Sequence, residues 1–143
     1  MTINQLSVFI ENKKGTILTV LNLLKEANIQ IIASTISDTV DYGIYRIICS
    51  DPGKAYLILK DNGLSVTLSD VFAIELDNTP GQAAAVMQVF ATANISISYL
   101  YSLLVKGKGI LIFRTNDTEK TREQISLHKL SFVTEKQLQS LAD

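Results

Sequence analysis

The sequence predicts an α+β protein made of two βαββαβ units in tandem, each an antiparallel sheet with its helices on one face. Three observations lead there: an internal repeat, an amphipathic helical pattern that recurs at the same spacing, and runs of β-branched and aromatic residues flanking tight turns in both halves.

The repeat appears when the 143-residue chain is shifted by 66 positions, since 12 + 66 = 78 and 15 + 66 = 81. Asn12 then meets Asn78, Gly15 meets Gly81, Val20 meets Val86, and Ala27-Asn28-Ile29 meets Ala93-Asn94-Ile95. Farther along, Ile31 meets Ile97, Gly43-Ile44 meets Gly109-Ile110, and Asp51, Lys54 and Leu64-Ser65 meet Asp117, Lys120 and Leu130-Ser131. These 13 identities compare with roughly four expected by composition, and they gather at turns and element boundaries. Duplication explains that placement.

Taken in order, Leu6 to Ile10 reads as a first strand, followed by polar residues and a glycine that opens a helix. In that helix Ile17, Leu18, Val20, Leu21, Leu23, Leu24 and Ala27 form the apolar side. Ile29 to Ser37 and Ile44 to Ser50 make a hairpin around Asp41-Tyr42-Gly43. Asp51-Pro52 reads as an N-cap with proline in the first turn, and Ala55, Ile58 and Leu59 line a second helix that Gly63 ends. Leu64 to Leu68 is the last strand.

The second half follows the same plan. Phe72 to Leu76 is the strand, and Ala83, Ala84, Val86, Met87, Val89, Phe90 and Ala93 form the helical face. Ile95 to Val105 and Ile110 to Thr115 form the hairpin around Lys106-Gly107-Lys108-Gly109, and a helix starts near Asp117-Thr118. Lys129 to Val133 is a final strand, and Glu135 to Leu141 adds a terminal helical turn. With no Pro, Gly or Ser-rich linker, the modules divide at 1–68 and 69–143, and joining of the two sheets side by side is expected.

Composition narrows the function classes. Hydrophobic residues make up 47% and charged residues 19%, enough for a packed core, and 13 basic against 14 acidic residues leave a net charge of −1. Such a charge supplies no field for phosphate backbones or anionic lipid, so neither nucleic acid nor a membrane is the expected partner. The opening residues do not resemble a signal peptide and no apolar run is long enough to span a bilayer, which points to the cytoplasm. Cys49 is the only cysteine and His128 the only histidine, so neither a disulfide nor a metal site is expected. Cys49 reads as a core residue and His128 as a surface or boundary one.

Asn12-Lys13-Lys14-Gly15 and Asn78-Thr79-Pro80-Gly81, each between a strand and an amphipathic helix, together with the two Ala-Asn-Ile segments, resemble the ACT domain family over almost the whole chain. Lys14 stands where the family's commoner Pro-Gly form, kept at Pro80-Gly81, has proline. The resemblance implies two ferredoxin-like ACT modules and a non-catalytic regulatory role in amino-acid metabolism. It implies a free amino acid bound at an interface between ACT units, without cofactor or metal, and allows a separately encoded biosynthetic enzyme as partner. Open sheet edges and apolar helices point to a homodimer.

Carried over by position, the implied ligand residues are Asn12, Lys14, Gly15, Thr16 and Asn28 in the first copy and Asn78, Pro80, Gly81, Gln82 and Asn94 in the second. The chemistry agrees. Glycine opening a helix lets a ligand approach the backbone, the helix-start amides suit a carboxylate, and an asparagine amide can answer both ends of a zwitterion. Asn28 and Asn94 also fit a purely structural helix stop. Ser34, Thr35, Tyr99 and Tyr101 are candidates for the side-chain pocket, and nothing selects one amino acid among serine, histidine, branched-chain and aromatic ones.

Two other classes share the element order. RNA-recognition motifs need aromatic rings on the third strand and a basic surface, whereas Gly109-Ile110-Leu111-Ile112-Phe113 is mainly aliphatic. An enzyme would need a nucleophile paired with a base, and the spacing offers no such set. Lys106-Gly107-Lys108-Gly109 lacks the phosphate-loop spacing and reads as a hairpin turn.

Overall fold

The computed structural model describes residues 1–11, 15–38, 42–77 and 79–141. The chain order is β1 (Ile3–Glu11), α1 (Thr16–Glu26), β2 (Ile31–Asp38), β3 (Tyr42–Cys49), α2 (Pro52–Asp61), β4 (Val66–Leu76), α3 (Gln82–Thr92), β5 (Ile97–Val105), β6 (Lys108–Thr115), α4 (Thr118–Leu127) and α5 (Glu135–Leu141). Two compact units emerge, Asn4–Ser69 and Met1–Ile3 with Asp70–Asp143.

In the first unit the strand order is β2-β3-β1 with antiparallel pairing, and the Phe9 N–H donates to the Ser65 carbonyl at 2.9 Å on the other edge of β1. Strand alternation sends Leu6, Val8, Ile10, Tyr45 and Ile47 to one face, where they bury against Val20 and Leu24 of α1 and Ala55 and Leu59 of α2. Each helix thus buries residues four apart, one turn above the other. Leu23 and Ala27 of the predicted α1 stripe pack half-buried against this core, whereas Ile17, Leu18 and Leu21 face outward.

The second unit repeats this with larger side chains. Strand order is β4-β6-β5, and Val86 and Phe90 of α3 and Ile125 of α4 meet Phe72, Ile74, Leu111 and Phe113. Where the first core has Leu6, Leu24 and Ile47, the second has Phe72, Phe90 and Phe113, with ring centroids 5.8 Å apart for Phe72–Phe113 and 5.2 Å for Phe90–Phe113. Both hairpins carry a register shift at the same place, between Ile31 and Ala33 and between Ile97 and Tyr99.

Local signals act as the residue types dictate. Asp51 and Asp117 cap α2 and α4, each accepting from the backbone N–H three residues on, at 3.1 and 3.0 Å. Lys106 and Gly107 both have positive φ, the requirement of a two-residue type I′ hairpin.

Three expectations are corrected. Leu64–Leu68 and Phe72–Leu76 are not separate strands, because β4 runs unbroken from Val66 to Leu76 with no glycine or proline inside it to turn the chain. Tyr42-Gly43 and Lys108-Gly109 are strand residues, not turn residues, while Asp41 lies outside the described residues. The predicted strand Lys129–Val133 is reduced to a bridge between Ile74 and Phe132. Lys129 is held at φ 51 in the stop of α4, and Thr134 already belongs to the cap of α5, so little chain is left between them to pair.

Candidate functional site

The first unit's site starts from Gly15. It sits in the left-handed region (φ 91, ψ −3) directly before α1, and the helix has no side-chain cap. The first intrahelical bond joins the Thr19 N–H to the Gly15 carbonyl at 3.0 Å, so the Ile17 and Leu18 amides point out of the helix end with no carbonyl of their own helix to reach. The Thr19 hydroxyl donates to the same carbonyl at 3.0 Å. A Cβ built on Gly15 would meet nothing within 4 Å. The backbone here is open as well as turned.

Beside it lies a cleft of about 530 Å³, lined by Phe9 and Glu11 of β1, Gly15, Thr16 and Thr19, and the Gly63-Leu64-Ser65 segment that follows α2. The Ile17 and Leu18 amides at the helix start and the positive end of the dipole favour a carboxylate at one wall. The volume falls in the range of small-molecule sites.

The second unit repeats the turn and alters the surroundings. Gly81 has φ 89 and ψ −3, and the Gln82 N–H reaches the Thr79 carbonyl at 3.5 Å around Pro80 and Gly81. Proline followed by a positive-φ glycine is the pattern of a type II turn. Gly15 adopts the same angles behind Lys14, so proline is not needed to set the glycine. Five lining positions differ between the copies: Glu75 stands for Phe9, Asp77 for Glu11, Gln82 for Thr16, Ala85 for Thr19 and Lys129 for Gly63.

Of the sequence-derived site residues, Gly15 and Thr16 meet in the one cleft, and Pro80, Gly81 and Gln82 form the matching corner of the second unit. Asn12, Lys14 and Asn78 lie outside the described residues. Asn28 and Asn94 sit at the far ends of α1 and α3, about 16 Å along an eleven-residue helix. Both are left-handed (φ 56 and 60), and the chain around them closes as a Schellman stop. The Asn28 N–H donates to the Lys25 carbonyl and the Ile29 N–H to the Leu24 carbonyl, at 3.0 and 2.9 Å, with the same pair at Asn94 and Ile95. Asn28 does not line the cleft that Gly15 lines.

The side-chain candidates also separate. The Ser34 hydroxyl lies 3.3 Å from the Tyr45 hydroxyl, while Thr35 pairs with Arg46, and Tyr99 and Tyr101 with Arg114 and Ile112, on the sheet face away from the helices. Phe9, Thr19, Gly63 and Ser65 were missed by the sequence reading. Phe9 looked like an ordinary strand residue and Gly63 like a mere helix stop. Cys49 is buried and His128 is the exposed C-cap of α4. Among the described residues no group of His, Cys, Asp or Glu is placed to hold a metal, and no helix is long and apolar enough to cross a membrane.

A family model, the ACT domain pair, matches residues 1–142. The chain belongs to the ACT domain pair family. The ACT pair is similar to protein BT0572 from Bacteroides thetaiotaomicron, with 34% identity and a TM-score of 0.92 over 97% of this chain and 96% of that one. Its fold is shared with the ligand-free regulatory subunit of aspartate kinase from Thermus thermophilus, at 15% identity and TM-score 0.64 over 88% and 91% of the two chains. The regulatory subunit of aspartate kinase from Thermus flavus matches at 17% identity and TM-score 0.59, over 87% and 90%. No curated protein matches the ACT pair significantly.

Proposed function

We propose that this ACT pair, with modules dividing at 1–68 and 69–143, is a non-catalytic sensor that binds a free amino acid and regulates amino-acid metabolism. The observation that carries the reading is the uncapped opening of α1 at Gly15, exposed beside a cleft of about 530 Å³. The ligand's carboxylate is received by the Ile17 and Leu18 amides, with Thr16 beside them. Pro80, Gly81 and Gln82 are the corresponding corner in the second module. The partner is a second copy of the chain, joined through exposed strand edges such as that of β5, where Leu104 is 76% exposed. A separately encoded biosynthetic enzyme in the cytoplasm is the target of regulation.

A thermal-shift screen against the protein amino acids tests this. Mass action at about a hundred times Kd stabilises by about 2.7 kcal/mol, enough to raise Tm by several degrees in a protein of this size. A rise that is lost in Gly15→Val is the expected result. No rise with any amino acid overturns the reading.

A further inference from the structure

Helix α2 ends on Asn62, which Gly63 follows, and both residues are exposed. The chain closes there as a Schellman stop. The Gly63 N–H donates to the Lys60 carbonyl and the Leu64 N–H to the Leu59 carbonyl, each at 3.1 Å, with Gly63 at φ 80. The Asn62 side chain turns back along the helix, where its Nδ2 donates to the Ile58 carbonyl at 2.8 Å. The second module closes α4 in the same way on His128 and Lys129: the Lys129 N–H donates to the Ser126 carbonyl at 3.2 Å and the Leu130 N–H to the Ile125 carbonyl at 3.0 Å. The stop therefore does not require asparagine followed by glycine, a dipeptide that occurs nowhere else in the chain.

That dipeptide carries a chemistry of its own. The Cγ of Asn62 is an electrophilic amide carbon next to the Gly63 backbone nitrogen, and glycine puts no Cβ in the way of their meeting. When that nitrogen gives up its proton to solvent and attacks Cγ, the Cγ–Nδ2 bond breaks and a succinimide ring closes. Ammonia leaves carrying, by way of solvent, the proton that Gly63 lost. Water then opens the ring at Cγ to give aspartate, or at the backbone carbonyl of residue 62 to give isoaspartate.

In the folded chain both reactants are engaged. The Gly63 proton is held on the Lys60 carbonyl, which disfavours its loss, and the Asn62 amide is drawn to the Ile58 carbonyl, toward the helix start and away from Gly63. We infer that Asn62 and Gly63 form a self-modification site gated by the α2 stop, which reacts with water as its only co-reactant when the last turn of α2 opens, and so places a carboxylate beside the Gly63 wall of the cleft. Gly63, Leu64 and Ser65 make that wall. A carboxylate at position 62 cannot donate to the Ile58 carbonyl and faces the negative end of the helix dipole, so the product weakens the stop that had restrained it. None of this requires the cleft to bind an amino acid.

Mass spectrometry of the full chain, aged in buffer and in urea, tests the site and its gate. In urea Asn62 should convert ahead of every other asparagine, into aspartyl and isoaspartyl forms that separate by chromatography. In buffer the same conversion should be about tenfold slower or more, because only the opened turn reacts. Leu64→Ala trims the half-buried residue that anchors the stop to the core, and should quicken the reaction in buffer while leaving the rate in urea unchanged. Asn62→Asp makes the aspartyl product directly and should lower Tm. Absence of conversion at Asn62 in urea overturns the site. Equal wild-type rates in buffer and urea, or a Leu64→Ala rate in buffer no faster than the wild type, overturn the gate. A wild-type Tm in Asn62→Asp overturns the weakening of the stop.

Discussion

The hydroxyls of Thr115 and Thr121 meet at 2.7 Å inside the second unit, where the first unit has Cys49 and Ala55 at the equivalent positions. Thr121 donates onward to the Asp117 carbonyl at 2.7 Å, so the proton between the two hydroxyls comes from Thr115. Both residues are buried. Thr121→Val strands the Thr115 donor and should cost about 1–3 kcal/mol in urea unfolding. Adding Thr115→Val removes the stranded group, so the double variant should lose clearly less than the sum of the singles. Additive losses would show that the two hydroxyls do not depend on each other.

Asn28 is held at φ 56 by the helix stop and not by a side-chain partner in the cleft. Asn28→Gly should leave stability within a few tenths of a kcal/mol, whereas Asn28→Ala should cost about 1–2 kcal/mol for a left-handed alanine. Neither should change amino-acid affinity measured at a temperature where the variant is folded. A loss of affinity in a stable Asn28→Gly would mark Asn28 as a ligand contact.

Gly63 leaves open space at the edge of the cleft, at φ 80. Gly63→Lys imports the residue that the second copy carries at Lys129, which already adopts positive φ. The backbone cost should be about 1–2 kcal/mol, and the side chain should weaken amino-acid binding about tenfold or more. Unchanged affinity would exclude the Gly63-Leu64-Ser65 wall from the site.

Helix α5 is tied at its start by Thr134 and Gln137. The Thr134 hydroxyl accepts from the Gln137 N–H at 3.1 Å, and the Gln137 side-chain oxygen accepts from the Thr134 N–H at 2.9 Å. This is a capping box, and Thr134→Ala should cost about 0.5–2 kcal/mol. Leu138, fully buried in the same helix, should cost about 2–5 kcal/mol when cut to alanine. If both variants unfold at the wild-type denaturant concentration, α5 does not contribute to the fold.

Which of these features could be read in advance follows from how local their causes are. The caps at Asp51 and Asp117, the glycines at 15 and 81 and the buried helix stripes are set within one turn of chain, and the repeat displays each of them twice. The α5 start was equally local, since Thr134-Glu135-Lys136-Gln137 has the spacing of a capping box. The unbroken β4 was not. Ser69-Asp70 looks like a turn, yet it lies in the strand because neighbouring strands, not local propensity, hold it extended. The cleft was half legible: Gly15 and Thr16 are adjacent in sequence, but Phe9 and Gly63 join them only through the pairing of Phe9 with Ser65.

The central claim is that the opening of α1 holds an amino acid's carboxylate, and the most direct measurement is a titration followed by the backbone amide resonances of the protein. The account predicts that a bound amino acid moves the Gly15, Thr16, Ile17 and Leu18 signals furthest, and that its amide analogue, lacking the carboxylate, moves them little. Saturable binding that leaves those four signals in place would contradict it.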